Sequence, residues 1–204
     1  TSDTENPYEV DIPIQILVSL NQKGFQIDDI VIKSSPVIAD LYGTGTKNII
    51  FGSDDNNVYG YMIDGIEMYG FPFATGDDVR SSPAVADLDR NNSPELIFGS
   101  HDGSLHILTS FGQELVNYQI NGSINGSPAA VDLDQDSDIE VVFTSYNGSS
   151  GDVHAIHHDG TSVFGFPVIL NEKMVGGPAA GDLDGDGHPE IVVCTDDDNI
   201  YAIK

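Results

Sequence analysis

The sequence predicts an all-β chain made of repeated units, and three observations lead to this prediction. One segment recurs four times at nearly constant spacing. Each copy reads as short apolar strands separated by turn residues. No amphipathic period of 3.6 residues runs long enough to indicate a helix. Repeats of this length with several short strands each are typical of a β-propeller of four-stranded antiparallel blades, in which one repeat forms one blade.

The repeats align without gaps over their first 20 residues. The four copies read SSPVIADLYGTGTKNIIFGS from Ser34, SSPAVADLDRNNSPELIFGS from Ser81, GSPAAVDLDQDSDIEVVFTS from Gly126 and GGPAAGDLDGDGHPEIVVCT from Gly176. Their aligned prolines are 47, 45 and 50 residues apart. This spacing suits one propeller blade per repeat.

The second copy shows the strands expected within each repeat. PAVADLD reads as the first strand, ELIFGS as the second, SLHILTS as the third and ELVNYQI as the fourth. The HDG sequence between the second and third strands is a tight hairpin signal. Small residues such as Ala84 and Ala86 crowd the first strand, so we expect this strand to be innermost, near a central axis where large side chains would collide.

The two ends of the sequence leave two interpretations open. Residues 1–10 read as a polar linker, and the propeller repeat domain is expected to span residues 11–204. The fourth copy ends at its third strand, NIYAIK, while residues 11–30 resemble a late-blade strand, turn and strand. Either the N-terminal strands complete the last blade and close a four-bladed ring, or the repeats are part of a larger propeller.

The composition is strongly acidic, with 33 Asp and Glu against 7 Lys and Arg and a formal net charge of −26. Nucleic acids and anionic membranes are therefore excluded as partners, and cations are the natural counterparts. No apolar run approaches the roughly 18 residues that would span a bilayer, so we expect no membrane insertion. The single cysteine, Cys194, lies in the apolar run IVVC and is expected to be buried.

The turn after each first strand carries the most specific chemistry. In the fourth copy it reads DLDGDGHPE from Asp182, with acids at positions 1, 3, 5 and 9 and glycine at position 6. Calcium takes six to eight oxygen ligands, and a glycine at position 6 permits the sharp turn that brings such ligands together. The sequence therefore predicts a Ca²⁺ site formed by these side chains and the backbone carbonyl at position 7.

The other three copies differ in how many of these four acids they keep. The third keeps all four acids but has Ser137 at position 6, where we expect some backbone strain, and the second is expected to bind more weakly because Asn91 stands at position 5. The first copy has lost three of the four acids and is expected to be metal-free, which indicates that the turn matters even without an ion. The predicted calcium ligands are Asp182, Asp184, Asp186, His188, Glu190, Asp132, Asp134, Asp136, Asp138, Glu140, Asp87, Asp89, Asn91, Ser93 and Glu95.

These residues carry a resemblance to a known family. The pattern SPAVADLD followed by PELIFGS, a hairpin and GFP resembles the FG-GAP or VCBS repeats of secreted bacterial and archaeal proteins, and it is similar to the calcium-binding blades of integrin α-subunits. The match covers roughly residues 30–204. The resemblance implies a β-propeller with calcium in the turns after the innermost strands, in extracellular adhesion, surface or secreted proteins.

The sequence predicts no catalytic residues and no cofactor besides Ca²⁺. It contains no GxSxG, HExxH, phosphate-binding loop or zinc-type cysteine spacing. His154, His157 and His158 are expected to be structural or solvent-facing, because His154 aligns with a tyrosine or histidine in every other repeat. We expect a non-catalytic binding, adhesion or scaffold module, secreted or at the cell surface, with an extracellular protein or glycan ligand. The alternative is the propeller domain of a secreted enzyme such as a polysaccharide lyase or peptidase.

Overall fold

The computed structural model describes residues 28–148, 150–174 and 176–204, and in this part each repeat forms one antiparallel sheet. The first sheet contains β1 (Val37–Ala39), β2 (Asn48–Gly52), β3 (Asn57–Met62) and β4 (Phe73–Ala74). The second contains β5 (Ala84–Ala86), β6 (Glu95–Gly99), β7 (Ser104–Leu108) and β8 (Glu114–Gln119). The third contains β9 (Ala129–Val131), β10 (Glu140–Asn147), β11 (Ser150–Ile156) and β12 (Val168–Ile169), and the fourth contains β13 (Ala179–Gly181), β14 (Glu190–Cys194) and β15 (Ile200–Ile203).

Strand order within each sheet follows chain order, which confirms the predicted all-β propeller blades. The short first strands β1, β5, β9 and β13 contact one another in sequence and are therefore the innermost strands. Among the described strands, β1 and β13 are not in contact, so the four sheets form an open arc. The predicted linker and all but residues 28–30 of the predicted N-terminal strands lie outside the described residues. The described part contains no helix that could cross a bilayer.

The hydrophobic core lies between neighbouring sheets. In β6, Leu96 and Phe98 pack against the first sheet, whereas Ile97 packs against the third. Successive side chains of a strand point to opposite faces, so a sheet that is covered on both faces needs a continuous apolar strand. This explains why ELIFG is buried along its whole length.

The segment that precedes each first strand connects two neighbouring sheets. Val79 lies between β4 and β5, is fully buried, and its backbone N–H donates to the carbonyl of Ser53 in the first sheet at 2.9 Å. Ile124 takes the same position one repeat later and packs on Gly99, where an added Cβ would lie 2.1 Å from its side chain. The aligned glycines Gly52 and Gly99 therefore leave room for the aliphatic residue of the following repeat.

The prediction that Cys194 is buried is wrong, because the structure places this residue at the surface. Cys194 aligns with Gly52 and Gly99, the positions that pack against the connecting segment of the next sheet. No further sheet follows the fourth among the described residues, so nothing covers this position there.

Candidate metal-binding loops

The four loops between the first and second strands share one backbone shape. The residues at positions 4 and 6 have positive φ in every copy: Gly43 (66°) and Gly45 (82°), Arg90 (56°) and Asn92 (68°), Gln135 (62°) and Ser137 (88°), Gly185 (79°) and Gly187 (91°). The predicted left-handed conformation at position 6 is confirmed, and in Ser137 it is adopted by a residue that rarely does so. The left-handed residue at position 4 was not predicted.

Side-chain oxygens at positions 1 and 5 hold this backbone in place. The carboxylate of Asp182 accepts hydrogen bonds from the N–H groups of Gly185 at 2.7 Å and Gly187 at 3.0 Å. In the first loop Asp40 accepts from the N–H of Gly45 at 2.6 Å. This contact gives Asp40 a structural role in a loop that has lost the other acids. At position 5, Asp186 accepts from the N–H of His188 at 2.9 Å, and the same bond recurs in the other loops.

The residue at position 9 fastens the loop to the second strand. Glu95, Glu140 and Glu190 are 5%, 0% and 5% exposed. One oxygen of each carboxylate accepts a hydrogen bond from the N–H at position 2, at 2.9, 2.7 and 2.8 Å. Asn48 makes the same bond through its amide oxygen at 3.1 Å in the first loop. The second oxygen of each glutamate remains for another partner.

The structure brings acids together in three of the four loops. Ligand oxygens lie within 4.8 Å of one another in the groups Asp87–Asp89–Glu95, Asp132–Asp134–Asp136 and Asp182–Asp184–Glu190. Positions 1 and 3 belong to every group. Four of the predicted acidic and imidazole ligands lie outside these three groups: Asp138, Glu140, Asp186 and His188. In the second loop the amide N–H of Asn91 donates to Asp89 at 2.8 Å, and Ser93 donates its backbone N–H to Asn91 at 2.8 Å.

The groups are electrostatically unfavourable by themselves. Burial raises the pKa of Glu95, and the nearby charges of Asp89 and Asp87 raise it further. Burial also raises the pKa of Glu140, with a further contribution from Asp134, although the N–H of Leu133 acts in the opposite direction. Both shifts show that the negative form is poorly stabilised in the protein alone. A divalent cation bound among these oxygens would remove the repulsion, so the donor set fits a hard metal ion.

The third and fourth loops have a basic group facing position 9 that sequence reasoning missed. Nζ of Lys204 lies 2.8 Å from Asp184, 2.6 Å from Asp186 and 3.2 Å from Glu190. Nδ1 of His157 lies 3.2 Å from Oε1 of Glu140. The two basic residues align, three positions after the ring residue of the third strand. The first repeat shows the same arrangement, because β2 and β3 pair Asn48, at position 9, with Met62, which aligns with His157 and Lys204. Aligning the ends of the third strands across the repeats would therefore have placed both basic residues opposite position 9.

The histidines divide into two groups. His154 is buried, stacks on Phe143 with ring centroids 4.9 Å apart and has Nε2 3.0 Å from the Ser145 hydroxyl, so its predicted structural role is confirmed. His157 and His158 instead contact acids of the third loop, His158 with its Nε2 3.1 Å from Asp138. These contacts are compatible with the predicted structural or solvent-facing role of the pair, and they place both rings beside carboxylates.

Comparison with known proteins supports the same fold. Residues 132–193 match the family model of the FG-GAP-like repeat, which confirms the resemblance found in the sequence. No curated protein matches the chain by sequence. The structure of BBS1N in complex with ARL6DN is similar with a TM-score of 0.61 and 14% identity, over 89% of this chain and 52% of that one.

Two further solved structures are similar in fold. The V. cholerae biofilm matrix protein Bap1 has a TM-score of 0.58 and 20% identity, over 86% of this chain and 31% of its own. The exotype rhamnogalacturonan lyase YesX has a TM-score of 0.54 and 14% identity, over 79% of this chain and 38% of its own. This chain thus spans about half or less of the length of these three proteins, and the low identities show a shared propeller-like fold alone.

Proposed function

We propose that the chain is a non-catalytic, calcium-binding part of an extracellular β-propeller that binds a protein or glycan ligand. The observation that carries the metal part of this proposal is the buried glutamate at position 9. One of its oxygens is bound to the loop backbone, and in the second and fourth loops the carboxylate has an oxygen within 4.8 Å of oxygens of two further acids. A buried carboxylate in such surroundings needs a cation, and the chain has only 7 Lys and Arg for 33 acids.

Calcium fits these loops better than other common cations. The side-chain ligands predicted for the fourth loop are all carboxylates, at positions 1, 3, 5 and 9. Calcium accepts six to eight oxygens in flexible geometry, whereas magnesium demands a near-ideal octahedron and keeps several waters. Extracellular calcium modules work at dissociation constants of roughly 10⁻⁴ to 10⁻³ M, which suits loops whose acids are mostly exposed.

The extracellular and adhesive parts of the proposal rest on similarity to known proteins. The FG-GAP-like repeat is matched over residues 132–193, and one similar structure is that of a biofilm matrix protein. Propellers present variable loops on a rigid ring and therefore suit ligand binding without chemistry of their own. The net charge of −26 favours a partner surface that is basic or that binds through calcium.

A second candidate function is supported by the likeness to a rhamnogalacturonan lyase. That likeness concerns the fold, and the sequence carries no recognised catalytic motif. Incubating the calcium-loaded chain with rhamnogalacturonan and other uronic-acid polymers separates the two functions. New unsaturated sugar ends, followed by ultraviolet absorbance, would favour the enzyme, and intact polymer that nevertheless binds the chain would favour the binding module.

Thermal melting of the tag-free chain in EDTA and in excess calcium tests the metal proposal. A site that binds only the folded state adds about 2.7 kcal/mol when calcium is at 100 times its dissociation constant. Asp184→Ala and Asp134→Ala should each remove part of this stabilisation. Thr44→Ala, at position 5 of the first loop, is the matched control and should leave the calcium response unchanged. Melting that is indifferent to EDTA and to added calcium would refute the proposal.

A further inference from the structure

The third loop differs chemically from the other three, because an imidazole joins its carboxylates. Nδ1 of His157 lies 3.2 Å from Oε1 of Glu140. His157, Glu140 and Asp134 each offer a ligand atom, and these atoms lie within 4.8 Å of one another. The aligned residues in the other repeats are Met62, Thr109 and Lys204, none of which offers a nitrogen lone pair at neutral pH.

This donor set is that of a transition metal. Imidazole nitrogen suits zinc, copper, nickel and iron, whereas calcium takes oxygen ligands. Two donors bound tetrahedrally to zinc at 2.0–2.1 Å are about 3.3 Å apart, which is close to the observed nitrogen–oxygen separation of 3.2 Å. Zinc therefore needs little movement of these two side chains.

The surroundings are built to hold the ligands. Glu140 is fully buried, and its other oxygen accepts a hydrogen bond from the N–H of Leu133 at 2.7 Å, which fixes the carboxylate. Such bonds to ligating carboxylates orient them and raise metal affinity. Oδ1 of Asp132, in the same loop, is buried and has no hydrogen-bond partner within the described part of the chain. The His157 side chain is 24% exposed, so an ion can approach from solvent.

We propose that Asp134, Glu140 and His157 form a transition-metal site that takes Zn²⁺ in preference to Ca²⁺. The inference goes beyond calcium binding and shares two carboxylates with the predicted third calcium site. Zinc therefore excludes calcium from the third loop only. The fourth loop, where Lys204 takes the place of the imidazole, remains an oxygen-only site.

Cobalt and zinc titrations of the metal-free, tag-free chain test this assignment. Cobalt should give visible d–d absorption that saturates at one ion per chain, and zinc should abolish it. His157→Met, which installs the residue of the first repeat, should remove the absorption and weaken zinc binding by at least about tenfold, since even outer-shell changes cost 10–100-fold. Lys204→His places an imidazole on the fourth loop and should raise the cobalt stoichiometry to two. His101→Gln, which removes an imidazole that lies outside the four loops, is the matched control and should behave like the wild type.

The outcomes separate this inference from the calcium proposal. Terbium luminescence on the same samples reports the oxygen sites, and His157→Met should keep its terbium signal and its far-ultraviolet circular dichroism spectrum. Unchanged cobalt absorption in folded His157→Met overturns the zinc site. If the wild-type chain binds cobalt but neither calcium nor terbium, the calcium proposal is overturned and the zinc site stands.

Discussion

Replacing Glu95 by glutamine should change the stability of the protein in opposite directions with and without calcium. The Glu95 carboxylate accepts a hydrogen bond from the N–H of Leu88 at 2.9 Å, and a glutamine amide oxygen can accept the same bond. The substitution therefore keeps the loop fastened while it removes one buried negative charge. The first loop already uses this arrangement, because Asn48 bonds the N–H of Leu41 at 3.1 Å there.

The size of the effect follows from the spacing of the acids. Glu95 has ligand oxygens within 4.8 Å of those of Asp87 and Asp89. At this separation Coulomb's law gives roughly 0.9 kcal/mol per pair at a dielectric constant of 80 and roughly 3.5 kcal/mol at 20. Asp89 is exposed and well screened, so we take the lower end and expect Glu95→Gln to stabilise the metal-free protein by about 1–2 kcal/mol. That corresponds to a rise in melting temperature of about 2–8 °C for a chain of this size.

Thermal melting in EDTA and in saturating calcium measures both signs. In EDTA the variant should melt above the wild type, and in calcium it should melt below the wild type because a ligand is missing. Asn48→Asp is the reciprocal control. It adds a buried negative charge to the first loop, which has too few acids to bind an ion. Calcium should therefore not restore the stability that this variant loses. An equal decrease in both buffers would mean that Glu95 acts through packing, and an equal increase would mean that the second loop binds no calcium.

Three further predictions concern the connections between repeats, the pH dependence and the fourth loop. Ile124→Ala should cost about 2–5 kcal/mol by denaturant unfolding, equally in EDTA and calcium, because it empties a fully buried contact on Gly99; a calcium-dependent loss would contradict this. Burial lowers the pKa of His154 below 6.5, so the unfolded chain takes up this proton at a higher pH than the folded protein does. The free energy of unfolding should therefore decrease as the pH falls from 6.5 through the lowered pKa. His154→Tyr, which copies Tyr59, should flatten that part of the pH profile, and an unchanged profile would assign it elsewhere. Lys204→Gln should bind calcium more tightly by calorimetry and melt lower in EDTA, because the ammonium occupies the acidic group; unchanged affinity would show that it does not compete.

Much of the fold could be predicted because the repeats report the same structure four times. The four strands assigned in the second copy are β5 to β8, and the small first strands are innermost as expected. The surface position of Cys194 could not be predicted from its apolar neighbours, since burial there depends on the connecting segment of a following sheet. The local sequence pattern predicts the strand itself, whereas the burial of its side chains depends on which sheets pack against it.

The loops show a similar division between what is local and what is not. The glycine at position 6 of the fourth loop predicted the sharp turn, and spacing predicted that positions 1, 3 and 9 lie together there. Arg90 and Gln135 adopt positive φ at position 4 with no residue signal, because the rest of the loop enforces it. The contacts of His157 and Lys204 come from the third strand and depend on how its end is paired with position 9.

The pairing across position 9 suggests that loop shape and loop charge are separate properties of these repeats. Every copy keeps the hydrogen bond from position 9 to the loop backbone, whether the acceptor is an amide or a carboxylate. The residue opposite varies: Met62 faces the neutral Asn48 and accepts its N–H at 3.1 Å, and His157 and Lys204 face glutamates. In the second repeat the aligned residue is the neutral Thr109. Because the shape survives when the acids are lost, the ion is not what forms the turn. Its role is to make buried negative charge tolerable, and so the dependence of each repeat on metal should follow the acids that it has kept.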